Sequence, residues 1–190
     1  MPTEALTVAE QRTKAWLDSF VVGLNLCPFA RPVIVSEGLR LTLNESSQVE
    51  GILHGFLTEL ELISSSDETE IATTLLVVPN ALANFEEYLG FVELAEELIE
   101  EADLEGVIQL ASFHPDYRFD GEPEDSASHF TNRSPYPMIH FLREEMMERV
   151  LGEFPDSEQI PQQNIQTLET IGRSEIERRW NSLEPTDSLK

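Results

Sequence analysis

TTLLVV, residues 73–78, is the stretch that decides the fold class of this chain. It is apolar or β-branched at both odd and even positions, and a strand of that kind needs cover on both faces of its sheet. Pro79 follows directly and ends the strand pattern, because proline cannot donate to a sheet ladder. The stretch therefore predicts a central strand between layers of helices.

Helical and strand patterns alternate on both sides of this strand. Apolar residues recur at three- and four-residue spacing in five predicted helices, at residues 8–24, 48–60, 82–102, 135–151 and 164–183. Short β-rich runs predict further strands at residues 33–35, 39–43 and 107–113. We expect the first two to form a hairpin around Glu37 and Gly38, and Ser47 to form a capping box with Glu50.

Alternating helices and strands are typical of α/β proteins. We therefore predict an α/β fold with a small, mainly parallel sheet of three to four strands packed with helices. The strands at 73–78 and 107–113 should be adjacent, parallel and central. A chain of 190 residues is long enough for one sizeable core, so we expect a single domain over residues 1–184 and a disordered tail over residues 185–190.

The chain is strongly acidic, with a formal net charge of −24 at pH 7 and a pI near 4.3. A nucleic-acid binder needs a basic face that displaces phosphate counterions, so we expect neither a nucleic-acid partner nor attachment to an anionic membrane. No run approaches 18 apolar residues, and residues 1–20 lack the pattern of a secretory signal. The single cysteine, Cys27, excludes an internal disulfide framework. These features favour a cytoplasmic location.

Four short segments carry a family resemblance. They are GLNLCPFA at residues 23–30, TTLL at 73–76, ASFHPDY at 111–117 and TNRSPYP at 131–137. Together they resemble a bacterial domain-of-unknown-function family, number 1415 in that series, over about residues 21–171. Family members often have LLVHP where this chain has LVVP at residues 76–79, so no histidine is available there. The family has no established activity, so the resemblance implies no reaction and leaves any cofactor unknown.

The loop at residues 112–137 gathers most of the candidate site residues. His114 directly follows the predicted strand at 107–113, and ligand sites of open α/β sheets lie beyond the carboxyl ends of strands. Because imidazole titrates near neutral pH, His114 is our first candidate for acid–base chemistry. In the structural alternative, His114 only ties the turn before Pro115 by hydrogen bonding.

Arg133 is the main candidate for ligand binding. The sequence Arg133-Ser134-Pro135 predicts a helix start, with Ser134 as the cap and Pro135 at the first helical position. Free backbone N–H groups and the positive end of a helix attract an anion, and Arg133 adds a bidentate donor. In so acidic a chain, the alternative is an ion pair with Asp116 or Asp120.

Cys27 has two interpretations. A thiolate activated by His114 would be a nucleophile. A cysteine beside Leu26, Pro28 and Phe29 is more often a small buried hydrophobe. We expect Cys27 to be largely buried and to react slowly with a thiol reagent in the native protein.

Metal binding is a further alternative. His140 and Glu144 lie one turn apart in a predicted helix, and loop residues could approach them: His114, Asp116 and His129. The spacing matches no recognised metal signature, so we assign no metal ligand.

Two function classes follow. The first is an enzyme that binds a small anionic metabolite, a carboxylate or a phosphate, and uses acid–base chemistry centred on a histidine. Its catalytic candidates are His114, Cys27 and Asp116, and its binding candidates are Arg133, Asn132, Ser134, Tyr117 and Arg31. The second is a non-enzymatic binding or adaptor protein, in which the loop is a rigid plug and the acidic helix at 85–102 faces a basic partner. The oligomeric state stays open.

Overall fold

The computed structural model describes residues 7–154 and 156–183, and it has a four-stranded sheet with helices on both faces. The strands are β1 (Leu39–Leu43), β2 (Thr73–Val77), β3 (Ile108–Phe113) and β4 (Met138–Arg143). The α-helices of these residues are α1 (Val8–Trp16), α2 (Ala30–Val35), α3 (Val49–Ser65), α4 (Phe85–Glu101), α5 (Glu144–Gly152), α6 (Ile160–Ile171) and α7 (Arg173–Asn181). A π-helical turn, Leu17–Val22, extends α1, and 3₁₀ turns occur at Ala127–Thr131 and Ser157–Gln159. The predicted α/β fold is confirmed, and the predicted tail at 185–190 lies outside the described residues.

The strand order is β1-β2-β4-β3. β1 and β2 are parallel, whereas β4 is antiparallel to β2 on one side and to β3 on the other. The four-stranded sheet is therefore mixed and not mainly parallel. The central position of residues 73–78 is confirmed, because β2 is an inner strand with every residue buried. The expected contact between strands 73–78 and 107–113 is wrong, since β3 is an edge strand that β4 separates from β2.

β4 occupies residues for which the sequence predicted a helix. Its run, MIHFLR, is too short for apolar spacing to distinguish a strand from a helix. Pairing with a strand on each side decides the outcome, and α5 begins only at Glu144. The predicted helix start at Ser134 and Pro135 is therefore wrong.

Three local predictions also need correction. Residues 33–35 end α2 and form no hairpin with β1, whose partner is instead β2 through the α3 crossover. α3 begins after Gln48 without a side-chain cap, so the capping box predicted at Ser47 does not form. The predicted helix at 164–183 is two helices, because Gly172 interrupts it with a φ of 81°.

The two faces of the sheet carry separate hydrophobic clusters. α3 and α4 cover one face, where Phe56 stacks on Phe141 with ring centroids 5.1 Å apart. α1, α6 and α7 cover the other face, where Trp16 packs edge-on against Phe113 at 5.5 Å. Successive side chains of a strand point to opposite faces, so β2 contributes Leu76 to the first cluster and its neighbours to the second.

Tyr88 fastens α4 to the edge of the sheet at which β3 ends. Its hydroxyl is buried, donates to the Met138 carbonyl at 2.6 Å and accepts the N–H of Phe113 at 2.9 Å. Phe113 and Met138 are register partners, so one phenol bridges β3 and β4 where the loop between them begins and ends. Burial raises the pKa of Tyr88, which therefore stays protonated and keeps its donor.

The helices of the described residues differ in length. α3 and α4 have 17 residues each. No helix in residues 7–154 and 156–183 is long and apolar enough to cross a membrane.

Candidate functional site

His114 holds the start of the loop between β3 and β4. Its side chain is fully buried, its Nδ1 accepts the N–H of Asp116 at 3.0 Å, and its Nε2 lies 3.0 Å from the Leu82 carbonyl. We therefore assign the proton to Nε2, which leaves both ring nitrogens occupied by backbone groups. Burial lowers the pKa of His114. This geometry favours the structural interpretation, and the acid–base role stays a prediction.

A second buried histidine holds the middle of the same loop. His129 accepts the N–H of Phe119 on Nδ1 at 3.2 Å, and its Nε2 lies 2.9 Å from the Pro123 carbonyl. Both histidines thus give hydrogen bonds to backbone groups that, in an irregular loop, have no partner in a helix or a sheet. The loop is thus tied to itself and to the segment before α4 by buried hydrogen bonds.

The side chains of Asn132 and Ser134 also form hydrogen bonds with backbone groups. Asn132 donates its side-chain amide to the Ser112 carbonyl at 3.1 Å. Ser134 is fully buried and donates its hydroxyl to the Tyr136 carbonyl at 2.5 Å, so it caps no helix. Their assignment as ligand-binding residues stays a prediction without a contact that supports it.

Arg133 is anchored but has no carboxylate partner. Its Nε donates to the Tyr117 carbonyl at 3.3 Å, and its guanidinium carbon lies 4.8 Å from the centroid of the Phe130 ring. Among the residues that the structure describes, no Asp or Glu forms an ion pair with Arg133, so the pairs considered with Asp116 and Asp120 do not form. The stacked ring and the carbonyl fix the plane of the guanidinium and leave its terminal amino groups for a ligand.

Arg133 lines a polar cleft of about 510 Å³, and two further arginines, Arg118 and Arg173, line the same cleft. Asp116 and Glu124 also line it, so its charged side chains comprise three cations and two anions. We call this the arginine cleft. It is a local excess of positive charge in a chain whose formal charge is −24.

The three arginines differ in how their charges are compensated. Arg173 pairs with Glu177 at 2.6 Å, and Arg118 lies 3.7 Å from the exposed carboxylate of Glu124. Burial lowers the pKa of Arg133, and the positive charge of Arg173 acts in the same direction. A guanidinium stays charged at neutral pH in spite of such shifts. Arg133 is therefore a half-buried cation whose charge Arg173 and Arg118 oppose and the carboxylates of Asp116 and Glu177 partly offset.

The start of α4 also faces the arginine cleft. Ala83, Asn84 and Phe85 line it, and Asn84 caps α4 by accepting the N–H of Glu87 at 3.1 Å. The first N–H groups of a helix have no partners within the helix and carry its positive dipole end. The cleft thus combines a helix start with Arg133, but the helix is α4 and not the one predicted at Ser134.

The other predicted site residues lie elsewhere. Cys27 lines a separate apolar cavity, and burial raises the pKa of its thiol. Arg31 is exposed on α2 and does not line the arginine cleft. His140 lies in β4, so the helical turn expected between it and Glu144 does not exist. In the described part of the chain, no group of three His, Cys, Asp or Glu side chains could hold a metal ion.

Sequence reasoning missed two parts of the cleft. Asn84 could have been found, because Asn followed three residues later by Glu is a helix-start signal. Arg173 has no such signal, since it reaches the cleft only through the packing of α7 against the rest of the protein. Asp116 and Arg118 are where the loop argument expected polar groups, beyond the carboxyl end of β3.

Comparisons with known proteins give one match. A family model described as "Protein of unknown function (DUF1415)" matches residues 8–178. No curated protein and no solved structure matches the chain.

Proposed function

The chain belongs to the family described as "Protein of unknown function (DUF1415)", and we propose that it binds a small anionic metabolite, a carboxylate or a phosphate, in the arginine cleft. The observation that carries this proposal is the state of Arg133. Its guanidinium is half-buried and held by Tyr117 and Phe130, yet it has no carboxylate partner among the described residues. An oriented cation of this kind is suited to bidentate recognition of an anion.

The net charge of the protein strengthens the proposal. A charge of −24 repels anions from most of the surface, so positive groups would be expected to pair with the abundant carboxylates. Arg118 and Arg173 follow this expectation, with Glu124 and Glu177 as partners, but Arg133 in the same concavity has no ion pair among the described residues. Local positive charge in a cleft focuses the field and concentrates a small anion there.

The start of α4 supplies a second source of anion affinity. Backbone N–H groups at a helix start bind phosphates and carboxylates without a side-chain charge. Asn84 takes only the N–H of Glu87, which leaves the preceding groups of that turn for a ligand or for water. The acidic residues Asp116 and Glu124 would face any hydroxyl or amino group that the metabolite carries.

In this proposal His114 has a supporting role. Since both of its ring nitrogens bond backbone groups, it fixes the positions of Asp116 and of the segment before α4. Any proton transfer in the cleft would then fall to Asp116, whose carboxylate lines it. An enzyme would need such a proton transfer, whereas a protein that only binds the anion would not.

A thermal-shift titration tests the proposal. Phosphate and a set of small mono-, di- and tricarboxylates would be added to the wild type, to Arg133→Gln and to Arg149→Gln. Arg149, on α5, pairs with Glu68 and does not line the cleft. Arg149→Gln therefore controls for the loss of one positive charge. A ligand at about one hundred times its Kd stabilises a protein by about 2.7 kcal/mol, which is about 5–10 °C in Tm for a chain of this size.

We expect at least one of these anions to raise the Tm of the wild type and of Arg149→Gln, and to require a concentration about tenfold to one-hundredfold higher for Arg133→Gln. Equal stabilisation of all three proteins would place the anion elsewhere. No stabilisation by any anion would favour the adaptor class instead.

A further inference from the structure

A second cavity, separate from the arginine cleft, lies between the sheet and the helices on the α1 side. Its volume is about 190 Å³, and no residue lines both sites. All four strands contribute to its floor through Leu39, Leu75, Ala111, Phe113 and Leu142. Trp16, Phe29, Ile34 and Met146 are among the side chains that close it from the helices. The walls are therefore almost wholly apolar.

Three polar side chains, His140, Cys27 and Thr73, interrupt this apolar lining. The Nε2 atom of His140 is shielded from solvent and has no hydrogen-bond partner in the described part of the chain. A polar atom left without a partner in such a place costs about 1–3 kcal/mol. A hydrophobic side chain at position 140 would avoid that cost, so the imidazole points to a ligand that supplies the missing hydrogen bond.

The size and polarity of the cavity limit what that ligand can be. Apolar cavities of about 150 Å³ accept a single benzene ring. An ionised ligand would lose its hydration without gaining a counter-charge, because no Lys, Arg, Asp or Glu lines the cavity. The lining offers hydrogen bonds only through His140, Thr73 and Cys27, which suits a neutral ligand with one polar group.

We propose that this cavity binds a small neutral aromatic molecule that carries one hydroxyl group, with the ring among the apolar walls and the hydroxyl bonded to His140. Burial lowers the pKa of His140 to about 4, so its imidazole is neutral at pH 7 and can accept a hydrogen bond from the hydroxyl. Cys27, at the side of α2, would contact the ring as a polarizable neighbour and not as a nucleophile, since burial raises the pKa of its thiol.

The test uses phenol and toluene as probes, because they share a ring and differ in the hydroxyl. Binding of each would be measured by isothermal titration calorimetry on the full chain at pH 7.5, with NMR spectra to confirm that the variants are folded. His140→Leu removes the hydrogen bond and keeps an apolar side chain of moderate size. Ala111→Leu, on β3, fills the cavity from its floor.

We expect phenol to bind the wild type about tenfold more tightly than toluene, as one buried hydrogen bond provides. In His140→Leu this preference should be lost or reversed, because the hydroxyl would be buried without its partner, while toluene still binds. Ala111→Leu should bind neither probe. The proposal is overturned if the wild type binds neither probe, if His140→Leu keeps the preference for phenol, or if a folded Ala111→Leu binds both probes as the wild type does.

Discussion

Acid should destabilise this protein through His140, and replacing that residue with leucine should remove the effect. The imidazole of His140 lines an apolar cavity, and its Nε2 has no hydrogen-bond partner among residues 7–154 and 156–183. Burial lowers the pKa of His140 from 6.5 to about 4. In the folded protein the ring therefore resists protonation, whereas in the unfolded chain it takes up a proton once the pH falls below about 6.5.

The sign and size of the effect follow from this difference. Because the unfolded state binds more protons between the two pKa values, the free energy of unfolding is undiminished above pH 6.5 and falls as the pH drops toward 4. Each pH unit in that window lowers the free energy of unfolding by up to about 1.4 kcal/mol. Between pH 7.5 and pH 5.0, the contribution of His140 should therefore fall by about 2 kcal/mol.

Urea unfolding at the two pH values measures this contribution. The difference in the free energy of unfolding between wild type and His140→Leu should shift by about 2 kcal/mol in favour of the variant as the pH falls from 7.5 to 5.0. The contributions of the carboxylates and of His114 are the same in both proteins, so they cancel in this difference. His54→Leu, at an exposed position on α3, is the matched control and should show no such shift. If His140→Leu behaves like His54→Leu, water reaches the ring and the cavity is not apolar.

Three further predictions concern stability and reactivity. Tyr88→Phe should lower the free energy of unfolding by about 2–4 kcal/mol in urea denaturation, because it leaves the Met138 carbonyl and the Phe113 N–H buried without a partner. A loss below about 0.5 kcal/mol would mean that water replaces the phenol. Asn84→Ala should lower the free energy of unfolding by about 1 kcal/mol in the same assay, because the cap of α4 is lost. An unchanged free energy of unfolding would show that the cap is not needed. Cys27 should react slowly with a thiol reagent in the native protein and quickly in denaturant, since burial raises the pKa of its thiol; fast native labelling would restore the nucleophile interpretation.

The sequence predicted the parts of the fold that depend on long or continuous patterns. The run at 73–78 is apolar or β-branched at both odd and even positions, and β2 is indeed the buried inner strand. The helical periods at 8–24 and 82–102 correspond to α1 with its π-helical extension and to α4. In these segments local pattern and tertiary environment agree.

The predictions that failed depend on long-range pairing. MIHFLR fits a helix as well as a strand, and only β2 and β3 on either side make it β4. That one exchange turned the sheet from mainly parallel to mixed and moved the helix start from Ser134 to Glu144. Residues 33–35 likewise contain β-branched side chains, but they end α2, since β1 pairs with β2.

The candidate site shows the same division. Arg133 and Asp116 were found from the polar loop that follows a strand, and both line the cleft. Arg173 lies 40 residues further along the chain from Arg133 and joins them only through the packing of α7. A histidine in a loop also gives no sign of whether its nitrogens are free, and those of His114 are both bonded to the backbone.

The central claim is that the arginine cleft binds a small anion through Arg133, and arginine side-chain NMR tests it most directly. The Nε–Hε signals of ¹⁵N-labelled protein would be followed as phosphate, or the best anion from the thermal-shift set, is added at constant ionic strength. We predict that the signals of Arg133, Arg118 and Arg173 move together and saturate at one Kd, while that of Arg149 stays in place. Signals that never move, or that all move alike and without saturation, would contradict the claim.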